Sequence, residues 1–276
     1  WNKNLNIPFI YNENGDGLGA IYSVKNLLEG NWYFEDPHLN APHQINNYMQ
    51  DYLLPLGIIK IISCFVKTTG LAVNLFWIIT YILTTVATYA LLRKIRCNYI
   101  ISIMGSVIYS FLPYHYFRMY HFWLMGCYIV PIAVWIILDI LNFKGEITVS
   151  NLKKHKMKMG LIVLFALLIG TNGIYYAVFT SVLLLSGAIV ISIRNKKFAN
   201  FLFAIICTLI MFFPIICFVM MPAIIMGGNI VSNIASSRSL YQMTVFALPL
   251  ILLFSPIPEH RIDFISKFAE NLYLEL

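Results

Sequence analysis

Charge is what this chain has least of. Its 276 residues include twelve Asp and Glu and nineteen Lys and Arg, so charged residues make up only 11%. A soluble domain normally carries about a quarter of its residues charged. The deficit, with 59% hydrophobic residues and a mean hydropathy of +0.75, excludes an ordinary soluble globular domain and implies an all-α, polytopic transmembrane helix bundle. Cysteine is also sparse. Cys64, Cys97, Cys127, Cys207 and Cys217 sit in or beside apolar runs without CxxC or CxxH spacing, which argues against a disulfide framework or a zinc site. There is no P-loop, GxSxG, HExxH or well-placed GxGxxG, so ATP hydrolysis, serine hydrolysis and zincin chemistry are disfavoured.

The few charges are not scattered. The polar run from Tyr11 to Asp51 holds Glu13, Asp16, Glu29, Glu35, Asp36 and Asp51, six of the twelve acids. Within it, Leu18, Ile21, Val24 and Leu28 recur at spacings of three and four, which predicts an amphipathic helix over Gly17 to Glu29, with Asp16 as N-cap and Gly30 as its stop. The following NWYFEDPHLNAPHQ, with Pro37 and Pro42, reads as an ordered loop. Leu53 to Val66 is apolar but too short for a span and reads as an interfacial helix.

Apolar runs then follow over Leu71 to Leu92, Tyr99 to Phe117, Phe122 to Leu141, Met159 to Thr171, Ile174 to Ile193 and Phe198 to Met221. If Leu53 to Val66 lies on the membrane, alternation brings the loops at 93–98, 142–158 and 194–197 to one side. Those loops carry eleven of the nineteen Lys and Arg residues, and the positive-inside rule makes that side cytoplasmic. The formal charge of +7 is then topological, with no nucleic-acid partner implied. Ten of the twelve acids fall outside, Asp139 and Glu146 being the exceptions. Were Leu53 to Val66 itself a span, every later basic loop would flip.

The expected organisation is an external acidic loop region with amphipathic and interfacial helices over 1–70, a bundle of about six transmembrane helices over 71–221, and an external membrane-surface segment over 222–276. That last segment ends in an amphipathic helix with Ile262, Ile265, Phe268 and Leu272 on one face. Beginning at Trp1 in polar sequence, the chain reads as a piece of a longer protein, with an apolar segment expected before residue 1.

Chemistry is expected on the external side. Asp16 stands between two glycines, either as a helix cap or as a general base or cation ligand at a cavity mouth. Glu35 and Asp36, before Pro37, are adjacent carboxylates that could hold a divalent cation but lack the spacing of a calcium loop. Asp51 precedes the interfacial helix as its cap. The stretch Pro113 to His121 puts His115, Arg118 and His121 among three tyrosines. It is either an aromatic belt with a snorkelling arginine or a site where Arg118 pairs with a phosphate and a histidine donates a hydrogen bond. Tyr175 and Tyr176 are a packing pair or a wall for a sugar. Arg238, His260 and Arg261 add external positive charge. No metal site is assigned.

The order of these features, GD in an acidic loop, NWYFEDPHLNAP, FLPYHYFRMYHFWL, TNGIYYAVF, RSLYQ and LLFSPIPEHRI, resembles the GT-C glycosyltransferase superfamily, in particular its YfhO-like branch. The resemblance implies a GT-C-like bundle and a first span before residue 1. It also implies transfer of a sugar from a polyprenyl-phosphate donor to a glycan or lipid acceptor on the outer face of a bacterial plasma membrane. Asp16 matches the loop acid that acts as base or metal ligand, with Glu35 and Asp36 as second-acid candidates. Arg118 and His115 lie where a donor phosphate would be met. Two other readings stay open: a transporter or flippase for a lipid-linked sugar, and a non-catalytic assembly protein.

Overall fold

A computed structural model describes residues 4–8, 16–32, 51–118, 121–142, 155–195, 198–221 and 261–274. Of Asp16, Phe117, Trp123 and 272–274 it describes the backbone alone. The described residues are helical and contain no strand. The chain divides into a unit Trp1–Gly227 and a unit Gly228–Leu276.

Helix α1 spans Asp16–Leu28, and the chain leaves it through Gly30 at φ 103, a conformation that costs glycine little. Helix α2, Leu53–Ser63, has Pro55 in its first turn, where the missing N–H would have had no partner. Helix α3, Thr69–Lys94, is 26 residues and about 39 Å long. Its C-terminus closes by the 6→1 and 5→2 bonds Cys97 N–H to Leu92 O (3.0 Å) and Arg96 N–H to Arg93 O (3.1 Å), with Arg96 at φ 69 where glycine is usual.

Helix α4, Tyr99–Ser110, starts where the Asn98 side chain accepts the Ile101 N–H at 2.8 Å. It returns along α3 on a seam of small hydroxyl residues at four-residue spacing: Thr80, Thr84 and Thr88 on α3, Ser102, Ser106 and Ser110 on α4, all buried. Small residues let the two backbones approach. Most of these hydroxyls bond to a carbonyl of the preceding turn, and Thr85 Oγ1 bonds across to Ser110 Oγ at 2.8 Å.

The run Tyr99 to Phe117 is therefore not one helix. Leu112, extended at ψ 141 before Pro113, separates α4 from the short α5, Pro113–Phe117. The run Phe122 to Leu141 is likewise broken into α6, Phe122–Met125, and α7, Ile129–Leu141. Pro131 explains this break, because it fits the first turn of a new helix and not the interior of a continuous one. Helix α8, Lys156–Asn172, turns through Gly173 at φ 140 into α9, Ile174–Asn195. Helix α10, Ala199–Ile215, contains Pro214 and runs on into a π-helical turn at Ile216–Met220.

Two apolar cores form in this unit. Val24 and Leu27 of α1, Leu56 and Ile59 of α2, Phe76 of α3, and Phe122 and Met125 of α6 make the first. The second joins α7 to α10 through Ile136, Ile140, Ile162, Ile169, Leu184, Cys207 and Met211. Here α8 crosses α10 so closely that a Cβ on Gly170 would overlap the Met211 carbonyl oxygen. Among the described residues three helices are long and apolar enough to cross a membrane: Thr69–Lys94, Ile174–Asn195 and Ala199–Met220. Their outward faces carry large apolar side chains such as Ile82, Val86, Phe179, Val190 and Leu209. In the second unit, α11, Asp263–Leu274, is amphipathic, with Phe264 and Phe268 exposed and Ala269 buried.

Candidate functional site

Three of the described candidates, His115, Arg118 and His121, lie on the connection from α4 to α7. His115, on α5, is 1% exposed. Its Nε2 lies 3.0 Å from Thr80 Oγ1 and its Nδ1 3.0 Å from the Ser110 carbonyl oxygen. The ring stacks on Tyr81. Both ring nitrogens are thus occupied within the protein. The expected hydrogen bond from His115 to a ligand gives way to a positioning role, because His115 ties α5 to the middle of α3.

Arg118 follows α5 and is exposed, its guanidinium 5.3 Å from the Tyr114 ring centroid. It makes no ion pair among the described residues, and the preceding chain exposes the aromatic side chains Phe111, Tyr114 and Tyr116. His121 is half-buried at the start of α6. Tyr176 is not a free wall, since its hydroxyl donates to the Leu124 carbonyl oxygen at 3.1 Å, while Tyr175 is 52% exposed.

The break between α6 and α7 frees backbone carbonyls, which tyrosines from other helices capture. Tyr176 of α9 takes Leu124 O, and Tyr109 of α4 takes Cys127 O at 3.4 Å. Tyr128 donates to Asn172 Oδ1 at 2.8 Å, and that same amide side chain lies where a Cβ on Gly126 would be. Asp51 accepts the Ile174 N–H, which ties the entry to α2 to the start of α9. Lys60 of α2 donates to Leu27 O at 3.0 Å and Asn31 O at 3.3 Å, holding the C-terminal end of α1.

Asp16 stands at the first turn of α1, as its glycine-flanked position predicts, and its side chain lies outside the description. Glu35, Asp36, Arg238 and His260 lie outside the described residues. Arg261 is exposed just before α11, in the second unit. Among the described residues no group of three His, Cys, Asp or Glu side chains could hold a metal ion. Sequence reasoning missed Thr80, Tyr81, Tyr109 and Lys60. The one signal available was their type, since a hydroxyl or an ammonium in an apolar helix needs a partner.

A family model described as a domain of unknown function (DUF6311) matches residues 10–272. No curated protein and no solved structure matches the chain.

Proposed function

The chain belongs to the DUF6311 family, and from that premise we propose that it is a multi-pass membrane glycosyltransferase of the GT-C type, YfhO-like branch. In this reading it moves a sugar from a polyprenyl-phosphate donor to a glycan or lipid acceptor on the outer face of a bacterial plasma membrane. Helices α3, α9 and the α10 run are full spans. Helices α4, α7 and α8, at 12, 13 and 17 residues, are shorter than a full crossing; α4 leads on into α5 and α7 follows α6, and with these continuations the bundle numbers about six. The acidic 1–52 region faces outside and the basic loops face the cytoplasm, with α5 set into the bundle from the outer side, where His115 meets Thr80 of α3.

The observation that carries the reading is Arg118. Among the described residues Arg118 has no carboxylate partner, and it is exposed next to the Tyr114 ring, an arrangement that suits an anion in a lipid-facing place. A polyprenyl phosphate supplies one, its tail in lipid and its head on the guanidinium. In the reaction, Asp16 takes the proton of the acceptor hydroxyl and the acceptor oxygen attacks the anomeric carbon. The bond from that carbon to the phosphate oxygen breaks, its electron pair leaving with the polyprenyl phosphate. Arg118 stabilises the departing charge. Glu35 and Asp36 stand as second acids, able to hold a divalent cation if one is used.

A second reading, a flippase for a lipid-linked sugar, is favoured by one feature: the interrupted helix α6–α7, a device transporters use at their binding sites. The two readings separate in one assay. Membranes containing the full-length protein are given radiolabelled polyprenyl-phosphate sugars, with Asp16→Asn and Arg118→Gln as paired variants. Transfer by the wild type that both variants lose, at equal expression, supports the transferase. Movement of donor across the bilayer without transfer, unchanged in Asp16→Asn, selects the flippase.

A further inference from the structure

At the C-terminal end of α3, Asp139 of α7 receives two ammonium groups. Lys94 Nζ lies 2.6 Å from its Oδ2, and Lys158 Nζ lies 3.1 Å from its Oδ1. The acid is 9% exposed, so the pair is held at a place of low dielectric. Two cations on one carboxylate leave one positive charge over, and among the described residues neither lysine meets a second acid. Leaving a charge uncompensated near an apolar interior costs energy that a bound anion removes.

Three features say where that anion would sit. The Lys158 side chain is 39% exposed and the Lys94 side chain 23%, so each ammonium keeps donors facing outward while the carboxylate is covered. Lys94 is also packed against Trp135, 4.2 Å from its ring centroid, which fixes its direction. Arg96, two residues on, occupies the left-handed position at the end of α3 that glycine would fill without strain. Arg96 is exposed there.

We propose that Lys94 and Lys158, set side by side by Asp139, form a binding site for a phosphate group, carried by an anionic lipid headgroup or free in solution. Two ammonium groups on separate helices, sharing one acid, present converging donors to the unesterified oxygens of one phosphate. Occupancy would pin α3, α7 and α8 together at this end. The membrane reading bears only on the source of the phosphate, and Asp16 and Arg118 take no part.

The test uses the full-length protein in nanodiscs of dioleoylphosphatidylcholine, with or without dioleoylphosphatidylglycerol, and the same protein in detergent titrated with inorganic phosphate against sodium chloride of equal ionic strength. The readout is the melting temperature. We expect the phosphatidylglycerol discs or the phosphate titration to raise it, with Lys158→Gln weakening the response by about tenfold and Lys158→Arg keeping it. A response to phosphatidylglycerol alone identifies the lipid as the source; a response to inorganic phosphate identifies the free ion. An equal response in the wild type and Lys158→Gln, or no response to either ligand, overturns the site. Lys94→Gln is the second variant. Lys158, being half-exposed, decides the matter if Lys94→Gln does not fold. Sugar transfer is expected to be unchanged in Lys158→Gln, so a failure of the transferase reading leaves this result intact.

Discussion

The imidazole of His115 lies flat on the phenol ring of Tyr81, ring centroids 4.1 Å apart and planes 13° from parallel. Thr80 and the Ser110 carbonyl hold its edges, so one side chain fixes the short helix α5 against α3 and thereby sets where Arg118 emerges.

His115→Phe keeps a ring on Tyr81 but loses both hydrogen bonds that tie α5 to α3 and α4. A loss of about 1–3 kcal/mol is expected, read as a lower melting temperature in detergent. An unchanged melting temperature would mean that α5 is held by other contacts.

Tyr176→Phe removes the hydroxyl bonded to Leu124 O at the broken helix and leaves that carbonyl the weaker Cys127 Sγ–H at 3.7 Å. The loss should cost about 1 kcal/mol. Tyr109→Phe, whose bond to Cys127 O is longer at 3.4 Å, should cost less. Limited proteolysis at the 126–128 break would rank the two; the reverse order would mean that Tyr109 carries the break.

Gly170→Ala places a methyl group against the Met211 carbonyl oxygen, in backbone that cannot move aside without separating α8 from α10. A loss of about 1–3 kcal/mol is expected. Gly160→Ala, on the same helix with nothing within 4 Å, should be neutral or slightly stabilising. Detergent melting temperatures of the two variants give the comparison.

Lys60→Met keeps the apolar stem but loses the ammonium that binds Leu27 O and Asn31 O. Helix α1, which begins at Asp16, should loosen by about 1–2 kcal/mol. Sugar transfer should fall while expression holds, and full transfer at normal rates would separate the anchoring of α1 from catalysis.

Much of the helix inventory was legible before any coordinates. Leu18, Ile21, Val24 and Leu28 announce α1, Gly30 ends it, and the run from Leu71 to Leu92 lies inside the observed Thr69–Lys94. The breaks at Leu112 and at 126–128 were obscured, although Pro113 and Pro131 mark them, because the apolar runs continue across both. The candidate site was legible by residue type and less so by role. Arg118 stays exposed, whereas His115 and Tyr176 spend their polar atoms inside the protein.

Composition and periodicity determined that this chain is helical and rich in apolar runs, because burial of an apolar face and the closure of backbone hydrogen bonds are local properties of a segment. Where the helices start and stop decided that three of the described ones, and not the expected six, are long and apolar enough to cross a membrane. Tertiary structure alone decided that Asp51 meets Ile174, that Tyr109 and Tyr176 close the carbonyls of a helix broken far from them in sequence, and that Lys94, Asp139 and Lys158 share one charge cluster. A lone polar group in an apolar helix states that it needs a partner. Only the packing of helices distant along the chain chooses which one.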